Sequence, residues 1–397
     1  MKIGLLGLGT IGSGVFEHIS RRSDMEIKKI LDLREFPELA HLLTKNFDDI
    51  LNDPEIDAVL IMTGWGGRSQ LAVAAMRAGK YTGIEVGCTQ TVEEAWDVVR
   101  AYEETGVHVM MLENDCYDRQ HMMLRNMAKQ GLFGEIAHVS GGYQHYLNED
   151  ELFKDVENDE VTHYRLKYYI EQNRECYPTH ALGPLMKILN INRGNRFLSI
   201  ASFASKACGF RNYAQKVGSP MQDFAMGDVV TSVIKCANGE TITLTHGVSL
   251  PRPYSRDGRV QGTRGIWLED AKGIFIDGIS ETRTEIDVAG NPYYSHIWDP
   301  VEKFYEEYDH PIWQEFRDNP SGGHGGMDTL ALQAFLNAVR NRTTPPIDVY
   351  DCAAWMAVTA LSEASIAAGS VPVPFPDFTN GKWIYPAGEK TSAWDLN

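Results

Sequence analysis

A glycine-rich turn near the amino terminus constrains the fold of this chain more than any other segment. It has the sequence Gly7-Leu8-Gly9-Thr10-Ile11-Gly12, follows the short apolar run at residues 2–7 and precedes a helical pattern. Asp32 ends a second apolar segment, residues 27–31, and lies 20 residues after the last glycine of the turn. Glycines at this spacing between a strand and a helix, with an acidic residue at this distance, are the fingerprint of a dinucleotide-binding unit.

The residue types explain how such a turn binds a dinucleotide. The first glycine permits a tight turn, the second lets the backbone approach the pyrophosphate, and the third allows close packing of the helix. The helix offers free N–H groups and the positive end of its dipole to the phosphates. Asp32 would accept hydrogen bonds from the adenosine ribose and repel a 2′-phosphate, although the nearby Arg34 weakens that discrimination. We therefore predict that NAD is bound by Gly7, Gly9, Thr10, Ile11, Gly12 and Asp32.

Strand and helix patterns alternate through the first 116 residues. Strand patterns at 58–62, 81–86 and 107–112 alternate with helix patterns at 69–78 and 91–105. This alternation predicts an α/β fold with a doubly wound parallel sheet. We therefore assign residues 1–116 to an NAD-binding Rossmann domain.

The second part of the chain has a different pattern. Short β-rich segments follow one another at 197–205, 228–237, 240–250, 263–270 and 273–278, and Asn238-Gly239 is typical of a hairpin turn. Because this spacing leaves no room for parallel crossovers, we predict a large, mostly antiparallel sheet. Helices are predicted at 327–341 and 350–368. Residues 117–397 are thus expected to form an α+β domain, which we assign to substrate binding, with the helices of 327–369 packing back.

The composition argues against several classes of function. Lysine and arginine number 37 and aspartate and glutamate 54, and the resulting net charge of −17 disfavours binding to nucleic acid or anionic membranes. No apolar run approaches the roughly 20 residues that span a bilayer. The six cysteines form no CxxC pair, and the first motif begins at residue 2, which leaves no room for a signal peptide. We therefore expect a cytoplasmic protein.

Two histidines outside these motifs raise the question of a metal site. His246 lies on an alternating strand, and His324 lies in the glycine-rich segment 322–326. The spacing predicts no carboxylate or thiol ligand beside either histidine, so we expect no metal.

An acidic stretch at 149–160 contains seven carboxylates. Runs of like charge are usually solvated, so we predict a solvated loop. A lid over an active site is the alternative for a loop of this length.

A nucleotide domain followed by an antiparallel sheet resembles the glucose–fructose oxidoreductase / inositol dehydrogenase superfamily. Dehydrogenases of that superfamily carry Glu-Lys-Pro at the end of one strand, and the lysine acts in proton transfer. This chain has Glu85-Val86-Gly87 there. The missing lysine counts against plain alcohol oxidation.

The second part of the chain resembles glycoside hydrolase family 109 in several separate motifs, which run in the family's order from about residue 85 to 383. Known members are NAD-dependent α-N-acetylgalactosaminidases that use NAD without net consumption. The matching segments are 113–119, 177–180 with Gly183-Pro184, 191–194, 251–256, 261–263, 324–328 and 376–379.

This resemblance implies positions for the candidate site residues. The sugar would be contacted by Tyr143, Arg165, Tyr177 and Tyr254. The cofactor would be lined, beyond the glycine-rich turn, by Gly64, Trp65, Gly67, Glu85, Val86, Asn114 and His180.

The resemblance also implies an unusual route for a glycosidase, because most glycosidases use two carboxylates. NAD would take hydride from C3 of the sugar, and the resulting ketone would acidify the C2 proton for removal by a side-chain base. The C1 leaving group would then be expelled, water would add to the enone, and hydride would return to C3.

Tyr177 and His180 are the candidate catalytic residues. They lie three residues apart, and Pro178 favours the start of a helix, which would bring their side chains near one another. We hypothesise that His180 serves O3 during oxidation and that Tyr177 abstracts the C2 proton, while the opposite choice of C2 base is left open.

Three functions are compatible with these residues. The first is a glycosidase that recycles NAD, and the second is an NAD-dependent sugar dehydrogenase that releases NADH, which the missing lysine disfavours. The third is a catalytically silent sensor of NAD or sugar, which the presence of Tyr177 and His180 disfavours. The residues leave open the sugar, its anomer and the need for an N-acetyl group. The resemblance implies a homo-oligomer.

Overall fold

The computed structural model describes residues 1–153, 163–221, 223–318, 320–385 and 392–396. The acidic stretch at 149–160 therefore lies largely outside the described residues, and its beginning belongs to the short helical turn Asn148–Leu152. None of the helices formed by the described residues is both long and apolar enough to cross a membrane.

The first part of the chain forms a sheet whose strands are all parallel. The strands are β1 (Lys2–Leu6), β2 (Glu26–Leu31), β3 (Leu43–Thr44), β4 (Ala58–Ile61), β5 (Tyr81–Ile84) and β6 (Val109–Met111), and the helices are α1 (Thr10–Ser20), α2 (Asp48–Leu51), α3 (Arg68–Arg77) and α4 (Val92–Thr105). Among the described residues the strand order is β3-β2-β1-β4-β5-β6. β4 is buried along its whole length, as expected of a strand covered on both faces. The predicted doubly wound sheet is confirmed.

The strand order determines which edge of this sheet can bind a ligand. The order reverses between β1 and β4, and α/β sheets bind ligands at the carboxyl ends of strands beside such a switch point. Gly7 follows β1, Glu85 follows β5 and Glu113 lies just beyond β6. Neighbouring strands are about 4.8 Å apart, so Asp32, which follows β2, lies about 14 Å along this edge from Glu85. The candidate cofactor residues therefore extend along one edge of the sheet.

The second part of the chain forms a larger sheet. Its strands and those of a separate hairpin are β7 (Ile136–Gln144), β8 (Phe197–Ala204), β9 (Val230–Cys236), β10 (Thr241–Gly247), β11 (Arg259–Gly262), β12 (Gly265–Leu268), β13 (Gly273–Ile276), β14 (Thr282–Ile286), β15 (Pro292–His296), β16 (Asp299–Pro300) and β17 (Val373–Pro374). In the described part of the chain the order is β16-β13-β12-β11-β7-β10-β9-β8-β17, and β14 pairs with β15 alone. The pairs are antiparallel apart from β7 with β10. The predicted mostly antiparallel sheet is confirmed.

Helices pack on this sheet and between the two parts of the chain. They are α5 (Arg119–Lys129), α6 (Tyr164–Glu171), α7 (Thr179–Ile188), α8 (Gly209–Val217), α9 (Glu302–Tyr308), α10 (Pro311–Phe316), α11 (Met327–Asn341) and α12 (Val349–Ala367). α12 packs against both α4 and β8. The Lys187 ammonium on α7 lies 2.7 Å from the Asp351 carboxylate on α12, and both side chains are buried. Because breaking such a buried pair costs about 3–5 kcal/mol, α7 is held firmly in place.

The central strand β7 is present in the structure but was not predicted from the sequence. Its sequence contains Gly141-Gly142 and few branched apolar residues, so its β signal is weak. A Cβ atom at Gly141 would lie 2.9 Å from the Ala181 side chain, and one at Gly142 would clash with the Thr245 carbonyl oxygen. The two glycines therefore let α7 and β10 approach β7 closely.

Candidate active site

The glycine-rich turn has the shape that a pyrophosphate requires. A Cβ atom at Gly12 would clash with the Gly7 carbonyl oxygen, so the helix can pack closely only because this residue is glycine. A Cβ atom at Gly9 would meet no atom within 4 Å, which leaves open space in front of α1. Thr10 and Ile11 form the exposed first turn of this helix, with backbone N–H groups at its amino terminus. These residues fit a bound dinucleotide.

Asp32 lies at the carboxyl end of β2 and is held by two neighbours. Its Oδ2 accepts a hydrogen bond from the Leu8 backbone N at 2.7 Å. The Arg34 guanidinium donates to both carboxylate oxygens, at 3.1 Å from Nε and 2.9 Å from Nη2. The Arg34 guanidinium holds the pKa of the Asp32 carboxyl well below its usual range. Asp32 is therefore ionised, and Arg34 covers the oxygens that a ribose would use.

Trp65 organises the crevice where β4 ends. Its buried ring lies 5.5 Å from the ring of Tyr164, 5.1 Å from that of Tyr168 and 5.9 Å from that of Tyr177. The flanking Gly64 and Gly67 are exposed at the edge of the crevice. The indole thus connects the carboxyl edge of the parallel sheet with the aromatic residues of α6 and with Tyr177.

The segment after β5 carries a half-buried acid and an apolar residue. Burial raises the pKa of the Glu85 carboxyl, and its Oε1 accepts a hydrogen bond from the Val86 N–H at 3.1 Å. The buried Arg68 guanidinium donates to the Glu85 and Thr63 carbonyl oxygens, at 3.2 and 2.7 Å, and thereby joins the ends of β4 and β5. Val86 is itself buried, so the position of the lysine in the Glu-Lys-Pro motif has an apolar side chain here.

His180 forms a close pair with Glu113. His180 Nδ1 lies 2.7 Å from Glu113 Oε1, and Glu113 has no exposed surface. Burial by itself lowers the pKa of His180, but the charges of Glu113 and Asp115 outweigh it and raise the pKa to about 9. Burial raises the pKa of the Glu113 carboxyl, but the neighbouring His180 lowers it by more. The pKa of Glu113 is therefore below its usual value. The free protein therefore holds an ion pair at this position at neutral pH.

An arginine completes the charge balance of this cluster. Arg256 Nη1 lies 2.6 Å from Asp115 Oδ1, and His180 Nδ1 lies 3.8 Å from Asp115 Oδ2. Glu113, Asp115 and His180 have the donor types of a metal site and lie close enough together to form one. Their carboxylates are already opposed by the Arg256 guanidinium and the His180 imidazolium, so the geometry is that of an ion-pair network.

Three other candidate residues, His180, Tyr143 and Arg165, lie around the Tyr177 ring. The Tyr177 ring is perpendicular to the His180 ring at 4.8 Å, and the Tyr143 ring lies 4.5 Å away. The Arg165 guanidinium carbon lies 4.9 Å from the Tyr177 ring centre. Burial raises the pKa of the Tyr177 phenol well above its usual value, while Arg165 acts in the opposite direction. Tyr177 is therefore a neutral phenol in the free protein.

Two further candidates differ in exposure. Tyr254 is 48% exposed and lies at the rim, with its ring 6.2 Å from that of Tyr143. Asn114 is buried; its Nδ2 donates to Asp328 Oδ1 at 2.6 Å, and among the described residues its Oδ1 has no hydrogen-bond partner. An unpaired buried acceptor suits a ligand that brings a donor.

The expectation that His246 and His324 lack acidic neighbours is wrong. His246 Nδ1 lies 3.1 Å from Glu175 Oε1, which folding brings from a distant part of the chain. His324 Nδ1 lies 2.9 Å from Asp328 Oδ2, a residue one helical turn further on. Each pair offers one histidine and one carboxylate, which is fewer than the ligands of a typical metal site.

Glu113, Asp115 and Arg256 are site residues that the sequence analysis did not assign a role. All three belong to the motif segments 113–119 and 251–256, but the sequence did not indicate which residues they would contact. Only the fold brings Arg256 against Asp115 and Glu113 against His180.

Two family models match the chain. Residues 117–385 match the one described as glycosyl hydrolase 109, C-terminal domain. Residues 1–113 match the one described as oxidoreductase family, NAD-binding Rossmann fold.

Individual proteins of known name are similar over almost the whole chain. An alpha-N-acetylgalactosaminidase of Tannerella forsythia is 38% identical over 430 residues, covering 96% of this chain and 88% of that protein. A glycosyl hydrolase family 109 protein of Parabacteroides distasonis is 37% identical over 431 residues, with the same coverage.

Solved structures of dehydrogenases share the fold. A levoglucosan dehydrogenase in complex with NADH and L-sorbose has a TM-score of 0.68 at 17% identity, covering 96% of this chain and 100% of that one. A putative myo-inositol dehydrogenase of Sinorhizobium meliloti has a TM-score of 0.63 at 17% identity, covering 94% of this chain and 99% of that one. At such identity the likeness concerns the fold alone.

Proposed function

The chain belongs to glycosyl hydrolase family 109, and from this membership we propose that it hydrolyses an N-acetylgalactosaminide or a related hexoside. It is an NAD-dependent glycosidase built on an oxidoreductase-type fold, as predicted. The observation that carries the proposed chemistry is the perpendicular contact of the Tyr177 and His180 rings, 4.8 Å apart at the carboxyl edge of the NAD-binding sheet.

Proton transfer at O3 of the sugar is assigned to His180. NAD, when bound, supplies the hydride acceptor for C3 and returns the hydride at the end of the cycle, so the reaction has no net redox change. Glu113 holds Nδ1 of His180, which leaves Nε2 as the nitrogen for the sugar hydroxyl. His180 must be neutral to accept a proton, and a positive charge bound beside it would lower its raised pKa.

Proton removal at C2 is assigned to Tyr177. Burial keeps the phenol neutral in the free protein, so the residue needs a cation to stabilise the phenolate. The Arg165 guanidinium, 4.9 Å from the ring centre, is suited to this. Among the described residues, Arg165 Nη1 is buried and has no hydrogen-bond partner, although the Glu151 carboxylate lies 3.7 Å away. That nitrogen is therefore available to a sugar oxygen.

The remaining candidates line the sugar and cofactor positions. Tyr143 contacts both Tyr177 and the exposed Tyr254, so the three phenols form a path from the interior to the rim. A cleft of about 730 Å³, lined in part by Trp65, Tyr164 and Tyr168, adjoins this path. A cleft of this size is sufficient for a further part of a glycan.

An NAD-dependent dehydrogenase that releases NADH is the alternative, because the solved structures of the same fold include dehydrogenases. Val86 argues against it, since a buried apolar side chain cannot perform the proton transfer of the superfamily's lysine. Purified protein with aryl glycosides separates the two functions. Release of the aglycone without accumulation of NADH at 340 nm supports the glycosidase. Accumulation of NADH from a free sugar contradicts it.

We further propose a homo-oligomer in the cytoplasm, with residues 1–116 forming the cofactor domain and 117–397 the substrate domain. Phe203 on β8 and Val233 on β9 are exposed apolar side chains on one sheet, which supports self-association. All six cysteines are described and are free thiols, which supports a reducing compartment. The net charge of −17 supports small-molecule substrates over nucleic acid or membrane partners. Light scattering coupled to size exclusion tests the oligomer.

A further inference from the structure

A strained loop precedes α11. Within the segment 322–326, His324 has a φ of 49°, and Gly322, Gly325 and Gly326 have φ values of 95°, 66° and 101°. A residue with a side chain adopts the left-handed region at a cost of about 1–3 kcal/mol. The loop also packs closely, since a Cβ atom at Gly326 would clash with the Phe316 ring. His324 therefore has a backbone conformation that residues with a side chain rarely adopt.

The loop presents His324 with one ring nitrogen occupied. His324 Nδ1 lies 3.0 and 2.9 Å from the two carboxylate oxygens of Asp328. The side chain is 57% exposed, and the contacts within the described residues leave Nε2 without a protein partner. The hydrogen bond to Asp328 raises the pKa of His324, which favours the protonated imidazole. An imidazole that a carboxylate orients in this way has the arrangement of a general acid.

This pair is joined to the His180 pair through consecutive residues. Glu113 accepts the hydrogen bond of His180 at 2.7 Å, and Asn114 donates to Asp328 at 2.6 Å. Both contacts begin just beyond the carboxyl end of β6, where adjacent Cα atoms are 3.8 Å apart. The charges of His180 and Asp115 also act on the pKa of His324. Two imidazole–carboxylate pairs therefore lie just beyond the carboxyl end of β6, with the His180 side chain 15% exposed and the His324 side chain 57% exposed.

We propose that His324 is a further catalytic residue, the acid that protonates the departing glycosidic oxygen. The inference rests on the proposed function. His180 and Tyr177 are engaged at O3 and C2 in the interior, whereas an aglycone must leave towards solvent, and the His324 side chain is 57% exposed. General acid catalysis of this kind contributes about 10²–10⁴-fold to a rate.

The proton and electron balance of the step is complete. The electron pair left at C2 by proton removal forms the C1–C2 double bond, and the C1–O bond breaks with its pair passing to the oxygen. The Nε2 proton of His324 goes to that oxygen, which releases the alcohol. The oxygen of a water molecule then adds to C1, one proton of that water returns to the neutral His324, and the proton held by Tyr177 returns to C2.

A substitution that preserves the loop tests this role. Asparagine adopts the left-handed region readily, so His324→Asn removes the acid and keeps the backbone conformation. We expect an alkyl glycoside, with a poor leaving group, to lose about 10²–10⁴-fold in kcat/KM. We expect the 4-nitrophenyl glycoside, which needs little protonation, to lose less than about tenfold. The exposed His41 supplies the matched control, since His41→Asn should leave kcat/KM unchanged for both glycosides.

Further readouts separate the outcomes. NAD affinity and deuterium exchange at C2 should persist in His324→Asn, because binding and proton removal precede departure of the aglycone. Equal losses for both glycosides, or no loss for either, would overturn the acid role and leave His324 as part of the α11 amino terminus. If the wild type releases no aglycone from any glycoside, the proposed function itself fails.

Discussion

A Cβ atom at Gly87 would lie 2.6 Å from the Trp65 indole, at a φ of 79° that proline cannot adopt. Trp65 in turn contacts the Tyr177 ring at 5.9 Å. The departure from the Glu-Lys-Pro pattern therefore has a structural cause. The aromatic side chain that approaches Tyr177 occupies the space where the dehydrogenase motif would place its proline.

Gly87→Ala should destabilise the protein by roughly 1–3 kcal/mol, because alanine is strained at positive φ and its methyl group meets the indole. Gly106→Ala is the matched control, since Gly106 has a φ of 67° and no atom within 4 Å of its added Cβ. Urea unfolding gives the free energy of unfolding of both variants, and the difference between their losses is the cost of the contact with Trp65. Equal destabilisation would show that this contact is unimportant.

The raised pKa of His180 predicts how NAD binding depends on pH. Protonated His180 repels the positively charged nicotinamide of oxidised NAD, so affinity should rise with pH by up to about tenfold per unit until pH exceeds the His180 pKa of about 9. Glu113→Gln removes the nearest stabilising charge, so the pKa of His180 falls and the rise should end at lower pH. Calorimetric titrations from pH 6 to 10 measure this shift. NADH, whose ring is neutral, should show a much weaker dependence, and the exposed Glu93→Gln should leave the profile unchanged. Superimposable profiles for wild type and Glu113→Gln would refute the assignment.

Tyr177→Phe should keep NAD bound and abolish exchange of the C2 proton with solvent deuterium. The ring and its packing on Tyr143 are retained, and only the phenolic oxygen is lost. Aglycone release should fall by at least about 10²-fold. Tyr385→Phe, at an exposed tyrosine, is the control for the loss of one hydroxyl group. Exchange at the wild-type rate, measured by NMR, would assign the C2 base to another residue.

Arg34→Ala should sharpen the preference for NAD over NADP. The guanidinium covers both oxygens of Asp32 and offers a positive charge to a 2′-phosphate. Without it, the Asp32 carboxylate faces the ribose directly and repels the phosphate. We expect the Kd for NADP to rise by about tenfold, with the Kd for NAD unchanged or lower. Arg21→Ala, at an exposed helix end, is the control. An equal change for both cofactors would show that Arg34 does not discriminate between them.

Local sequence patterns predicted the elements whose formation depends on residues that are close together in the sequence. The helix Met327–Asn341 has the predicted bounds, and Asn238-Gly239 joins an antiparallel pair, β9 and β10. β7 escaped prediction because its two glycines serve close contacts with α7 and β10, which are distant in sequence. For the same reason the carboxylate neighbour of His246, Glu175, was not foreseen.

Local sequence patterns were enough to predict the nucleotide-binding turn, the order of a parallel and then a mostly antiparallel sheet, and the proximity of Tyr177 and His180. Those features depend on backbone conformation and hydrophobic periodicity, which are local. Only the tertiary structure placed Glu113 on His180, Arg256 on Asp115, and the His324 pair beside them. Protonation states depend on burial and on charges from remote parts of the chain, and both exist only after the two sheets have packed together.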